Sequence, residues 1–302
     1  MSQHLGIGFP YLATLPADLY QRGLVDFVEI TPETICRQRN TGTAAEIQIN
    51  PGEMQLAQQT CAGLPIVVHG VELSIGSAHG WNDAYLKMLD HFQAAWPFVW
   101  HSEHLGFQTI LGDNKSTLEI GVPLPLPATR ESIQIVASRS AAILKRYGVP
   151  FLLENPAHYF SDFPSDPEVG DDIGLMQAVT ENSGCQVLLD LHNLHCNAVN
   201  HAFDPFMAID RMPLSRVVEI HVAGGSWRDG FWMDAHDGRV PERVWDLLEY
   251  ALPILPNASG VVFELLEEHA ARLGAQAIEE ELMRAREIWS LHRSEKSRCG
   301  AN

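Results

Sequence analysis

Short apolar runs recur along the chain, and residues able to do chemistry close them. Pro65-Ile66-Val67-Val68 ends in His69, and Phe98-Val99-Trp100 leads into His101-Ser102-Glu103-His104. Pro150-Phe151-Leu152-Leu153 ends in Glu154-Asn155, and Val187-Leu188-Leu189 in Asp190-Leu191-His192-Asn193. Val217-Val218 precedes Glu219-Ile220-His221, and Gly260-Val261-Val262-Phe263 ends in Glu264. Runs of this length, apolar on both faces, read as buried parallel strands. Gly6 to Phe9 and Val25 to Ile30 complete a set of eight, the second followed by Thr31-Pro32-Glu33. Helical spacing fills the gaps over Asp83 to Ala95, Thr129 to Tyr147, Ile173 to Ser183, Pro241 to Ala251 and Ala270 to His292. Strands alternating with helices predict an α/β chain, a single-domain (β/α)8 TIM barrel over residues 1–302. In such a barrel the strand C-termini converge on the catalytic face, so the six closing motifs are expected at one metal site.

Two stretches break the rhythm, Gly112 to Pro127 and Phe160 to Asp172, and both read as long loops shaping a substrate or partner surface. The last helix carries Leu273, Ala277, Leu282 and Ile288 at helical spacing, with Glu279-Glu280-Glu281 expected on its solvated face.

Charge narrows the function. Twenty basic against 38 acidic residues give a formal net charge of −18, which disfavours a nucleic-acid partner because a phosphate-binding groove needs a basic stripe. No apolar stretch approaches the roughly 20 residues of a membrane span, and the N-terminus shows no secretory signal. Cys36, Cys61, Cys185, Cys196 and Cys299 lack CxxC spacing and read as reduced thiols of a cytoplasmic protein, Cys185 as core.

The candidate chemistry is metal chemistry. One histidine after a strand is usually structural. His69, His104, His221 and His236 together, accompanied by Glu154, Asp190 and Glu264 at other strand ends, are hard to explain as packing, because buried charges must be paired or bound to a cation. Asp234 and His236, two residues apart in the loop after the seventh strand, offer another carboxylate and imidazole, and Asn193 an amide oxygen. Mixed N and O donors without thiolate suit iron or manganese, with zinc open. His101 and His192 read as neighbours of ligands or as outward-facing, Glu29 and Glu33 as supporting or substrate contacts, and His4, His91 and His292 as exposed. Ala223-Gly224-Gly225-Ser226 lacks the Lys of a P-loop, and no Ser sits in a Gly-x-Ser-x-Gly elbow.

Several of these segments resemble a known family. His69-Gly70-Val71-Glu72-Leu73-Ser74-Ile75-Gly76-Ser77, Ser102-Glu103-His104-Leu105, Leu153-Glu154-Asn155-Pro156, Asn200-His201-Ala202-Phe203-Asp204-Pro205, Ile220-His221-Val222-Ala223-Gly224 and Asp234-Ala235-His236-Asp237 are similar to the multinuclear non-haem iron enzymes of the MbnB/TglH type. The resemblance implies a TIM barrel holding two or three iron ions in mixed Fe(II)/Fe(III) valence, with O2 as co-substrate. It implies oxidation of a cysteine in a ribosomally made precursor peptide, usually with a separate precursor-binding partner protein. Position by position it implies His69, His104, Glu154, Asp190, Asn193, His221, Asp234, His236 and Glu264 as ligands, with Glu154, Asp190 and His221 expected closest to the chemistry. Glu103, Asn155 and His192 are candidates for positions behind the ligands. One departure stands out: many members read Asp-x-Asn-Asn followed by an aromatic residue, where this chain has His192 and His195. Within the family the outcome is either excision of the β-carbon of a C-terminal cysteine, favoured here, or conversion of an internal cysteine to oxazolone and thioamide or a related thiol heterocycle. From other reaction classes, a metal-dependent isomerase or a trinuclear-zinc phosphodiesterase could use the same strand ends. The acidic charge counts against the second, and the lack of a Lys in the closing motifs against a sugar isomerase.

Overall fold

The computed structural model describes residues 4–40, 45–113, 117–160 and 164–299. Eight parallel strands form a closed barrel: β1 (Gly6–Pro10), β2 (Phe27–Ile30), β3 (Ile66–Gly70), β4 (His101–His104), β5 (Phe151–Glu154), β6 (Gln186–Asp190), β7 (Val217–Ala223) and β8 (Gly260–Glu264), ordered β1-β8-β7-β6-β5-β4-β3-β2. They are the eight expected from the apolar runs. The main helices are α1 (Pro51–Thr60), α2 (Asp83–Ala95), α3 (Arg130–Tyr147), α4 (Asp172–Ser183), α5 (Leu191–His201), α6 (Glu242–Ala251) and α7 (Ala275–Cys299). No helix among the described residues is long and apolar enough to cross a membrane.

By its contacts the chain divides into two compact units. The first comprises Met1–Glu29, Thr60–Pro65 and Leu188–Asn302. In it β1 pairs with both β8 and β2, and β7 with β8, all parallel. Small residues set the spacing here: a Cβ on Gly260 would sit 2.7 Å from the Phe27 ring, and one on Gly8 closer still, so both glycines make room for that buried ring. Helix α6 buries Val244, Trp245, Leu247, Leu248 and Ala251, a stripe at helical spacing.

The second unit comprises Ile30–Gln59 and Ile66–Val187. Strand β4 pairs in parallel with β3 and with β5. Thr129 caps α3 by accepting from the Ser132 amide, and Gly148 ends it in the left-handed conformation.

Four local expectations need correction. Gly112 to Pro127 is not one loop: Thr117–Pro125 is a strand, paired antiparallel with Gly106–Leu111 (residues 114–116, like 161–163 of the other stretch, lie outside the described residues). The hairpin was hidden because Pro123, Pro125 and Gly121 carry loop composition, yet an edge strand tolerates proline. The last helix is two, Glu267–Leu273 and α7, broken at Gly274 with φ 83°. Glu281 is not solvated; it is buried and accepts from Arg239 Nη1 at 2.9 Å. His292 is buried against expectation, whereas His4 and His91 are exposed and Cys185 is core.

Candidate metal centre

In the second unit, Glu154 and His104 end strands β5 and β4 and His69 is the penultimate residue of β3, where the parallel ladder sets their side chains side by side. His69 Nε2 lies 3.2 Å from Glu154 Oε2, and His104 Nε2 lies 3.4 Å from the same oxygen. One ligand atom from each falls within 4.8 Å of the others. A neighbouring hydroxyl decides how His69 can act. Ser102, opposite His69 in the β3–β4 register, donates its Oγ hydrogen to Val68 O at 3.1 Å. Its oxygen therefore accepts from His69 Nδ1–H at 3.0 Å, which places the lone pair on Nε2, the nitrogen aimed at Glu154.

In the first unit the same logic is written with carboxylates. His221 on β7 is fully buried, with Nε2 3.0 Å from Glu29 Oε2 and Nδ1 3.0 Å from Glu264 Oε2; Asp190 Oδ2 is 4.0 Å from Nδ1. Burial alone would push His221 down, but the charges of Glu29 and Glu264 outweigh it and hold the ring well above its usual value. Burial lifts Glu29 against the pull of His221. Asp190 rises from 3.8 to about 7, through burial first and then the charges of Asp234 and Glu264. Three carboxylates packed this way around one imidazole leave excess negative charge for a cation to neutralise.

The network continues to the loop after β7. His236 Nε2 lies 3.6 Å from Glu264 Oε2 and 2.7 Å from Asp234 Oδ1, and His192 Nδ1 is 2.9 Å from that same Asp234 oxygen. Burial would raise Asp234, yet His236 and His192 hold its carboxyl below the usual range. His236 adopts φ 46°, a left-handed conformation unusual outside glycine and the kind of local strain found at functional sites. Asp190-Leu191-His192-Asn193 opens a helix. Asp190 is the N-cap of α5, its Oδ1 accepting from the Asn193 amide at 2.6 Å, so the cap fixes the carboxylate.

The donor sets fit a metal. The groups His69–His104–Glu154, Glu29–His221–Glu264 and His192–Asp234–His236 each present three nitrogen or oxygen atoms within ligand spacing and no thiolate. Asn193 is buried beneath the cap, and Asn155 is half-buried just past β5. Glu103 lies elsewhere. Strand alternation puts Ser102 and His104 on one face of β4 and His101 and Glu103 on the other. There Glu103 Oε1 sits 3.1 Å from His101 Nε2, and His101 is nested among Tyr85, Phe98, Tyr147 and Phe151. Burial pushes Glu103 well up and His101 down to about 3. Glu33 also serves the backbone, accepting from the Val71 and Glu72 amides at 2.9 Å each.

Sequence reasoning missed Trp232. It lies on Phe231–Met233, which pairs with Ser226–Arg228 across Asp229-Gly230, both at positive φ. The Asp-Gly step between aromatic residues was the available signal. The glycine pair has a structural explanation too: a Cβ on Gly225 would lie 2.7 Å from His192 Nε2.

A family model described as RiPP precursor modification enzyme MbnB/TglH/ChrH matches residues 4–290. The chain belongs to that family. Family membership makes it an enzyme acting on precursor peptides and implies a metal cofactor, as the motifs led one to expect. Among relatives, a UPF0276 protein of Caulobacter vibrioides is 32% identical over 232 residues, 76% of each chain. One from Pasteurella multocida is 27% identical over 287 residues, 86% of this chain and 87% of its own. Solved structures share the barrel. A D-psicose 3-epimerase with D-tagatose from Clostridium cellulolyticum H10 superposes with TM-score 0.54 at 12% identity, covering 96% of this chain and 98% of its own. The IOLI protein with a binding zinc atom does so with TM-score 0.51 at 13% identity over the same shares. At such identity the likeness shows the fold alone.

Proposed function

We propose that the chain is an O2-dependent non-haem iron enzyme that oxidises a cysteine of a ribosomally made precursor peptide. The observation carrying this reading is the conjunction of a peptide-modifying family with thiolate-free His and carboxylate groups at the strand ends. His69, His104 and Glu154 would hold one ion, and Asp190, His221, Glu264, Asp234, His236 and Asn193 the remainder of a set of two or three in mixed valence. Bound iron would supply one-electron chemistry with O2 and a Lewis acid for the peptide thiol. The chain's own part is to present lone pairs at fixed places. Ser102 orients His69, Glu29 orients His221, and the α5 cap orients Asp190. Excision of the β-carbon of a C-terminal cysteine is the outcome favoured, with oxazolone and thioamide formation from an internal cysteine the alternative. A separate protein is expected to deliver the peptide.

The test begins with anaerobically purified protein. Two or more irons per chain, with an EPR or Mössbauer signature altered by a cysteine peptide, support the reading; zinc or magnesium alone with no thiol response defeats it. Unchanged product under strict anaerobiosis would remove the oxidative step, and mass spectrometry separates loss of one carbon from its retention. Glu154→Gln should lower iron content and abolish turnover together.

A further inference from the structure

His192 belongs geometrically to a three-residue metal group with Asp234 and His236, yet its own hydrogen bonds argue against ligation. Trp232 Nε1 lies 3.3 Å from His192 Nε2. An indole N–H only donates, so Nε2 must accept and carries no proton. The proton of the neutral ring is then on Nδ1, which donates to Asp234 Oδ1 at 2.9 Å. Both nitrogens are spoken for. Moving the proton to Nε2, as ligation through Nδ1 requires, would set two donors against each other.

The surroundings hold this arrangement. Asn200 clamps the Trp232 backbone at both ends, its Nδ2 donating to Trp232 O and its Oδ1 accepting from Trp232 N, each at 2.9 Å. Gly225 packs against the ring, where an added Cβ would lie 2.7 Å from Nε2, and the Cys196 sulfur sits 3.8–3.9 Å from the two ring nitrogens. The His192 ring is fully buried.

We infer that Trp232 and His192 form a positioning pair: the indole locks the imidazole tautomer, and the imidazole N–H aims the Asp234 carboxylate at the metal. This deepens the proposed function, because it rests on Asp234 as a ligand. His192 then acts on Asp234 through one N–H donor, the group that an amide side chain also carries.

The experiment reads the tautomer directly, apart from any peptide chemistry. Nitrogen-15 NMR of histidine-labelled protein, metal-free and then zinc-loaded, should show His192 protonated on Nδ1 and unprotonated on Nε2 in both states. Trp232→Phe should mix the tautomers and speed loss of metal to a chelator by about tenfold, within the range for outer hydrogen-bond partners of ligands. His192→Leu should do the same to metal retention, and His192→Asn should restore it to within about threefold of the native chain. Loss of the Nδ1 proton on zinc loading, with a metal-shifted His192 nitrogen, would make His192 a ligand and overturn the inference. So would unchanged tautomer and metal retention in Trp232→Phe. A chain that binds metal and shows the locked tautomer but modifies no peptide would defeat the proposed function and leave this inference standing.

Discussion

Asp190→Asn separates the stability of the fold from the needs of the site. Asp190 is completely buried, and its folded value is lifted from 3.8 to about 7 by burial and by Asp234 and Glu264. A raised carboxylate binds its proton more tightly folded than unfolded, so stability is present below about pH 4 and is lost as pH rises to about 7. At about 1.4 kcal/mol per pH unit, the whole rise destabilises the metal-free fold by about 4 kcal/mol, about 3 of it between pH 5 and pH 7. The Asn side chain keeps the shape and the oxygen that caps α5, but not the charge. Urea unfolding of metal-free protein at pH 5 and pH 8 is the assay. The native chain should lose about 3 kcal/mol more than Asp190→Asn across that interval, and the variant should be the more stable at pH 8. In the native chain, saturation with metal should remove most of the Asp190 dependence, since the ion replaces the proton. Parallel loss in both proteins, or a variant less stable at pH 8, would refute the electrostatic account of this carboxylate.

Three further outcomes follow from the same geometry. Ser102→Ala frees the His69 ring from its orienting oxygen and should weaken metal retention about tenfold with little change in metal-free stability, read by chelator competition and urea unfolding. Arg239→Ala removes the charged partner of the buried Glu281 carboxylate, leaving it the Val240 amide, and should cost about 1–3 kcal/mol of unfolding free energy at neutral pH; a change within error would mean solvent reaches that carboxylate. Gly260→Ala places a methyl 2.7 Å from the Phe27 ring and should cost about 1–3 kcal/mol, recovered in part by Phe27→Leu.

The barrel was legible because its strands are buried on both faces, so in β3, β5, β6 and β8 an apolar run goes through the strand and stops at a polar residue, while β4, His101–His104, holds no apolar residue and is marked only by the Phe98–Trp100 run before it. That stop also marks the candidate ligands: His69, Glu154, Asp190 and Glu264 end or nearly end their strands. Glu103 shows where the rule misleads. It sits in the same tetrapeptide as His104, but the period of two sends it to the opposite face, against His101 and the aromatic nest. The hairpin at Thr117–Pro125 and the helix after Asp190 were illegible for another reason. Proline and glycine in the first, and a polar run of His and Asn in the second, carry composition that local propensity assigns to loops, and tertiary context overrides it.

Less legible still were the residues that decide which nitrogen of each histidine is available. Ser102 orients His69 from the adjacent strand, and reading that pair needs the β3–β4 register. Glu29 orients His221 although β1 and β8 lie between their strands, so no local pattern relates them. Trp232 reaches His192 from a short hairpin forty residues on, held by Asn200. In each of the three histidines at least one nitrogen is committed to a fixed partner. In His69 the partner takes the proton of Nδ1 and leaves Nε2 facing Glu154, and in His221 both nitrogens meet carboxylates, Glu29 on Nε2 and Glu264 on Nδ1. In His192 the indole takes the lone pair instead, which turns a candidate ligand into a support for Asp234. Donor identity can be read from a motif, but the choice between ligand and support rests on whether the partner donates or accepts.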